Sequence, residues 1–370
     1  MAAIAKRVTL MSDGRELIYF DDADTRLPAG RAVDTRPPAA RPPLPTLRQD
    51  PLTGEWISIA AARQERAFLP PAELDPLAPS SPGHATEVPG DYDVVVFENK
   101  SPAFGPSLAP AGASPAELLG ELGTVGVGRS LPGVGRCEVV CFGPQRTGSW
   151  ADFSVSRSRT VVEAWADRTA ALSALPGVQQ VYVFENRGKE IGVTLHHPHG
   201  QIYAYPYVTP RTSNLLASIA SYGPDLMADV LEYERKSERV LVEGGHFTVF
   251  VPFAARWPIE VHMLPHRHVP DFAATTAAER DEIAVLYRRI LCAVDLLYDT
   301  PTPYIAAWHQ APVHAGRDTV RLMLQVTSPR RAADRLKYRA GSETGMGAFI
   351  GDIVPEAAAA RLRSVLDDVP

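Results

Sequence analysis

The sequence predicts an α+β fold of mostly antiparallel strands, and three observations lead there. Short β-branched and aromatic runs, each closed by turn chemistry, recur in both halves of the chain. Each half also carries at least one long run with apolar residues at i, i+3 and i+4 spacing, the pattern of an amphipathic helix. The 370 residues are 45% hydrophobic and 22% charged, which is ordinary globular usage and enough for a sizeable core.

The front of the chain is irregular: of 34 prolines, seventeen fall in the first 115 residues. Residues 1–45 read as a proline-rich N-terminal arm, because Leu27 to Pro45 holds six prolines and few large apolar side chains. Asp50-Pro51-Leu52-Thr53-Gly54-Glu55-Trp56 is a turn that leads into an alternating strand ending at Ala60. Pro70 to Pro89 has six further prolines with Ser80, Ser81 and Gly83, and is another loop. Strands are predicted at 93–98, 138–142 and 181–185, then at 247–253, 260–264, 305–309 and 320–327. Helices are predicted at 156–174, 224–243, 277–298 and 355–365. Val96-Phe97-Glu98-Asn99-Lys100 recurs as Val183-Phe184-Glu185-Asn186-Arg187, an echo that supports duplication weakly, since both copies close a strand with Asn in a turn.

Several function classes drop out. A net charge of −6 argues against a nucleic-acid partner. No run approaches the roughly eighteen apolar residues of a membrane span. Lys6, Arg7, Asp13, Arg15 and Glu16 interrupt the first twenty residues, so no signal peptide is expected. Three cysteines without a C-x-x-C pair build no disulfide framework and suit a reduced, cytoplasmic setting. Cys137 and Cys141 share a strand face and read as core thiols.

The densest polar cluster is Leu195-His196-His197-Pro198-His199-Gly200-Gln201-Ile202-Tyr203. On a strand, His197, His199 and Gln201 share one face and His196 takes the other. Pro198 favours an edge or bulge, and Gly200 lets another group approach the backbone. Two chemistries are open. Imidazoles two apart can share a metal ion, but further ligands must come from His262, His266, His268, His309 or His314, and no spacing selects a set. Alternatively a neutral imidazole attacks an activated phosphorus while its second nitrogen donates to a fixed acceptor. An amide two residues on then holds a phosphoryl oxygen without being basic enough to activate water, which favours transfer over hydrolysis.

His197-Pro198-His199-Gly200-Gln201 closely resembles the active-site motif of the galactose-1-phosphate uridylyltransferase family, a branch of the histidine-triad superfamily. The Asp50–Trp56 segment is similar to that family's N-terminal signature, and Arg63 and Arg66 to its paired arginines. Asn99 and Asn186 fall where the family contacts nucleotide, and the segments 252–260 and 264–268 are similar to its second-half strands. The likeness runs in order from about residue 46 to 365 and leaves the arm outside it.

The resemblance implies two histidine-triad-like halves, 46–210 and 211–370, with a mostly antiparallel sheet and flanking helices, usually as a homodimer whose active sites share residues. It implies ping-pong transfer of a uridylyl group between UDP-glucose and galactose-1-phosphate, with His199 as nucleophile, Gln201 holding the phosphoryl oxygen and His197 completing the motif. Arg63 and Arg66 would bind phosphate, Asn99 and Asn186 uridine or ribose, Thr194 would lie near the phosphates, and Lys337 and Glu343 would bind the hexose.

The chain departs from the family at its metal sites. Where many relatives place zinc on a C-x-x-C, a downstream histidine and the first histidine of the motif, this chain has Asp75, Ala78, Arg146 and His197. A second site loses its H-x-H, although His309 persists. No cofactor is therefore expected, and Asp75 is expected to pair with Arg146 in place of the zinc tie. The competing readings are a nucleotide-sugar phosphorylase or nucleotidyltransferase of other base or sugar preference, a cupin-type metal enzyme, and a silent binding module.

Overall fold

The computed structural model of the chain describes residues 4–65, 68–105 and 123–369. In the first half the strands are β1 (Ala5–Leu10), β2 (Glu16–Asp21), β3 (Thr46–Gln49), β4 (Trp56–Ile59), β5 (Val94–Glu98), β6 (Gly123–Val125), β7 (Gly128–Pro132), β8 (Arg136–Cys141), β9 (Gln180–Arg187) and β10 (His199–Tyr205). The second half adds β11 (Val240–Glu243), β12 (Phe247–Phe250), β13 (Ile259–Pro265), β14 (Tyr304–His309) and β15 (Met323–Ser328). The helices are α1 (Val155–Ser173), α2 (Pro210–Tyr222), α3 (Leu226–Arg235), α4 (Ala277–Leu296), α5 (Gly341–Met346) and α6 (Pro355–Leu366).

Eleven strands form one antiparallel sheet in the order β1-β2-β5-β8-β10-β9-β14-β15-β13-β12-β11, and β4-β3-β7-β6 form a smaller one. The fold is α+β, as expected. The order is symmetric about the β9–β14 junction: β5-β8-α1-β9-β10 in the first half matches β12-β13-α4-β14-β15 in the second. The echoed pentapeptide is not a trace of this repeat, because its copies end β5 and β9, two strands of the same half.

Helices α1 and α4 pack on each other across one face of the sheet. Ser154 caps α1 by accepting from Arg157 N, and a Thr276–Glu279 capping box starts α4. Beneath them Trp150, Trp165, Tyr287 and Trp308 are buried in edge-to-face and tilted contacts of 4.7–6.3 Å. Each contributes on the order of 1.5–3 kcal/mol through burial. Cys137 and Cys141 are fully buried, in keeping with core thiols.

Three sequence expectations need correction. The arm is not all irregular: β1 and β2 extend the main sheet, β2 pairing with β5, and Arg15 is buried with its guanidinium 2.5 Å from Glu87 and 2.7 Å from the Glu98 carbonyl. The Leu-Ile-Tyr-Phe run of β2 is strand-forming, and the prolines that suggested an arm begin only after it; Leu27–Pro45 contains no regular element. The helix expected over 224–243 ends at Arg235. Arg239 then bonds Glu234 and Glu356 (2.7 and 2.8 Å), and the β-branched Val240 and Val242 pair with β12. Helix α2, with Pro210 at its first turn, had not been predicted at all.

Candidate active site

The polar cluster divides at Pro198. Pro198 has no N–H to give a ladder, so β10 begins at His199 and its alternation starts there: His199, Gln201 and Tyr203 point one way, and Gly200 and Ile202 are buried on the other. Gly200 is required by packing. A Cβ there would lie 2.9 Å from the Phe142 ring and 3.0 Å from the Phe184 carbonyl.

His197 therefore does not share the face of His199, contrary to the sequence expectation. It is buried, with Nδ1 2.7 Å from Asp75 Oδ2 and Nε2 2.8 Å from the Gly143 carbonyl and 3.0 Å from the Tyr92 hydroxyl. The Tyr92 proton is given to the Leu77 carbonyl at 2.8 Å. The ring is thus clamped at both nitrogens, between the Asp75 carboxylate and the Gly143 carbonyl. No ring nitrogen of His197 is left to touch a substrate. The expected Asp75–Arg146 pair is also corrected: Asp75 is taken by His197, and the Arg146 guanidinium donates to the Ala72 carbonyl at 2.5 Å. Burial acts to raise the pKa of Asp75, but the hydrogen bond and charge of His197, with the Leu77 N–H, outweigh it and hold the carboxyl below its ordinary value.

What His197 does give the site is its backbone. The His197 carbonyl accepts from His199 Nδ1 at 2.7 Å, which fixes the tautomer and leaves Nε2 with its lone pair free. Burial lowers the pKa of His199 below the ordinary histidine value against the opposing hydrogen bond to the His197 carbonyl, which favours the neutral ring at physiological pH. A neutral, oriented imidazole is the form able to attack an electrophile. It opens on a cavity of about 590 Å³ whose wall includes Trp150, Asn186, Lys189 and Arg330. The Lys189 ammonium makes no hydrogen bond or ion pair among the described residues, so it is available to an anion. Gln201 follows on the same face, its Oε1 accepting from the Tyr203 hydroxyl at 3.3 Å.

The remaining expected residues are dispersed. Asn186 lines the cavity. Asn99 caps a turn by accepting from Ser101 N at 2.9 Å, and Arg63 donates to the Ser101 carbonyl at 3.0 Å. The carbonyl of Thr194 accepts from Leu69 N, and Thr194 is not part of the cavity wall although Val193 and Leu195 are. Arg66 lies outside the described residues. Lys337 and Glu343 are buried and ion-paired at 3.0 Å, with Lys337 also donating to the Arg256 carbonyl, and neither lines the His199 cavity.

The sequence reading missed Glu185. It is buried at the cavity wall and accepts from Trp150 Nε1 (2.7 Å), the Tyr304 hydroxyl (2.8 Å) and the Tyr287 hydroxyl (3.0 Å), tying β9 to β14, to α4 and to the Trp150 loop. Burial raises its pKa to about 7 despite these donors. The signal was present in the echoed pentapeptide, where Glu precedes each Asn, but Glu there is indistinguishable by type from a solvated strand end. Gly188 closes the strand that carries Glu185 and Asn186. It has φ +101 and the Pro303 ring 2.6 Å from a Cβ position, so only Gly fits the turn beside Lys189.

The zinc implied by the resemblance does not fit these residues. Ala78 has no donor atom, Asp75 and His197 consume each other's binding atoms, and Arg146 is cationic. At the second site His309 Nε2 donates to Gln325 Oε1 at 3.1 Å, and Gln325 is a poor metal ligand beside it. Among the described residues, no helix is long and apolar enough to cross a membrane.

Comparison with known proteins places these features. Residues 39–209 match the model for the N-terminal domain of galactose-1-phosphate uridyl transferase, and residues 207–369 match the model for its C-terminal domain. A galactose-1-phosphate uridylyltransferase from Streptomyces lividans is 42% identical over 98% of both chains. One from Thermotoga maritima is 34% identical over 86% of this chain and 97% of its own. A solved structure described as a uridylyltransferase superimposes with a TM-score of 0.75 at 29% identity, covering 88% of this chain and 99% of that one.

Proposed function

The chain belongs to the galactose-1-phosphate uridylyltransferase family, and from that premise we propose that it moves a uridylyl group between UDP-glucose and galactose-1-phosphate through a covalent intermediate on His199. The observation that carries the reading is the His199 ring: Nδ1–H bound to the His197 carbonyl, Nε2 free, and the ring kept neutral by burial.

In the first step Nε2 attacks the α-phosphorus of UDP-glucose. A P–N bond forms, the bridging P–O bond breaks, and glucose-1-phosphate leaves with the electron pair. In the second, a phosphate oxygen of galactose-1-phosphate attacks the same phosphorus, the P–N bond breaks, and UDP-galactose forms. Both sugar phosphates use one pocket in turn. Gln201 donates its amide to a non-bridging oxygen, and Lys189 and Arg330 bring positive charge to the cavity wall. Asn186 faces the nucleoside. The cation Arg63 and, beyond the described residues, Arg66 serve phosphate, and Asn99 and Thr194 complete the nucleotide subsite. Lys337 and Glu343, which do not line the cavity of their own chain, serve the hexose across a homodimer. The enzyme works without metal in a reduced, cytoplasmic setting, where its three buried cysteines remain free.

The test is isotope exchange. Labelled glucose-1-phosphate should enter UDP-glucose with no galactose-1-phosphate present, since the first step alone regenerates donor. Absence of exchange under conditions that support the full reaction refutes double displacement. Exchange into ADP-glucose but not UDP-glucose refutes the uridylyl assignment in favour of a different base preference.

A further inference from the structure

The repeat in the sheet aligns the two halves residue by residue. One row of directly paired residues crosses it: Leu17, Phe97, Val139, Gln201, Phe184, Ala307, Gln325, His262 and Phe250. Cross-strand partners share a face. The row is symmetric about its Phe184–Ala307 step, so Gln325 is the counterpart of Gln201. Two residues earlier, Met323 is the counterpart of His199, and two before that, Arg321 is the counterpart of His197. The correspondence extends to hydrogen bonds. His197 Nε2 donates to the Gly143 carbonyl at 2.8 Å, and Arg321 Nη1 donates to the carbonyl of His266, the counterpart of Gly143, at 2.9 Å.

Over this second position lies a cavity of about 1050 Å³, walled by Met323, Gln325 and His309 and by the cations Arg211, Arg256 and Arg321. Its volume is at the upper end of small-molecule sites. The Arg211 guanidinium makes no hydrogen bond or ion pair among the described residues. Desolvation in the concavity lowers its pKa, and so does the positive charge of Arg256. The acids nearby are partnered: Glu260 is held by Gln325 at 2.7 Å, by His262 at 3.1 Å and, more loosely, by Arg256 at 3.9 Å, and Glu234 is bound to Arg239 at 2.7 Å, which leaves Arg211 without an acid among the described residues. The rim carries Trp257 and Phe349, ring surfaces suited to stack on a base or a sugar.

We propose that this cavity is a second, non-covalent ligand site, a counterpart of the His199 site that binds a phosphate monoester carrying a ring, with Arg211 and Arg256 on the phosphate. Met323 has no lone pair basic enough to attack phosphorus at the place where His199 does, so the ligand is held and released unchanged. The ring belongs to a nucleoside or a hexose, and the assay separates the two.

The experiment is equilibrium dialysis of the full chain with labelled UMP and, separately, labelled glucose-1-phosphate. Wild type should bind more than one equivalent per chain of at least one probe, approaching two. Arg211→Met should weaken the second site about tenfold or more, as loss of a charge-assisted phosphate contact does, and leave kcat within about twofold. Arg211→Lys should restore part of the binding by restoring the charge. Saturation of wild type at one equivalent for both probes overturns the proposal. So does a second equivalent whose affinity is unchanged in Arg211→Met. Failure of the His199 chemistry would show in isotope exchange and would leave this site count untouched.

Discussion

Replacing Asp75 by Ala tests whether a carboxylate and an imidazole do the structural work that this family's metal does elsewhere. Asp75 Oδ2 accepts from His197 Nδ1 at 2.7 Å and Oδ1 accepts from Leu77 N at 2.9 Å, with both side chains buried. Losing a hydrogen bond to a charged group costs about 1.5–3 kcal/mol, and losing the backbone bond costs about 1 kcal/mol. Relaxation of the freed His197 ring recovers part of this. The expected net loss is about 2–4 kcal/mol in urea denaturation at pH 7.5, at the lower end of the roughly 3–5 kcal/mol for breaking a buried pair. Activity should fall too, because the same residue's carbonyl orients His199: about 10–100-fold in kcat, with KM less affected. Asp75→Asn keeps the acceptor for Leu77 and can donate to a neutral His197, so about 1 kcal/mol is expected. Sign follows from the pKa shift. The carboxyl of Asp75 is lowered in the fold, so its contribution is complete at neutral pH and fades only as pH falls below the ordinary 3.8. An Asp75→Ala protein within about 0.5 kcal/mol of wild type, with kcat within about twofold, would refute the reasoning.

Other outcomes follow from the same geometry. Gly200→Ala forces a Cβ to 2.9 Å from Phe142 and should destabilise by about 1–3 kcal/mol, read by chemical denaturation. The acid limb of kcat/KM should lie below the ordinary histidine value of 6.5, because His199 must lose its proton to act and its pKa is lowered; a limb above 6.5 contradicts this. Glu185 has its pKa raised to about 7, so its unfavourable ionisation removes stability as pH rises from the ordinary 4.5 through 7. Glu185→Gln should flatten that slope while costing about 1–3 kcal/mol, since its amide cannot accept from three donors. Metal analysis of purified protein should return far less than one zinc per chain, and chelator should leave activity unchanged.

The parts of the molecule legible in the sequence are those with a strong local signal. Strands 94–98, 136–141 and 180–187 and helices 155–173 and 277–296 rest on periodicity and caps, and each lies within a few residues of expectation. The strand pair 5–21 was missed because the proline bias of the following segment was extended backward over it. The 224–243 helix was too long because i, i+3, i+4 spacing survives into Val240–Val242, where pairing with β12 decides the outcome. At the site, H-P-H-G-Q marked His199, the proposed nucleophile, but a strict period of two puts His197 on the same face, whereas Pro198 delays the strand to His199. Glu185 and the cavity over Gln325 were illegible for a different reason. Each gains its meaning largely from residues more than a hundred positions away, Tyr287 and Tyr304 for the first and Arg211 for the second.

The central claim is that His199 Nε2 forms a bond to phosphorus, and the direct measurement is to trap that bond. Wild-type protein mixed with UDP-glucose labelled in the α-phosphate and quenched in base should retain label, lose it in mild acid, and yield a labelled peptide containing His199. His199→Gly should take up none while keeping its fold by circular dichroism. Label that survives in His199→Gly, or a labelled peptide without residue 199, would contradict the account.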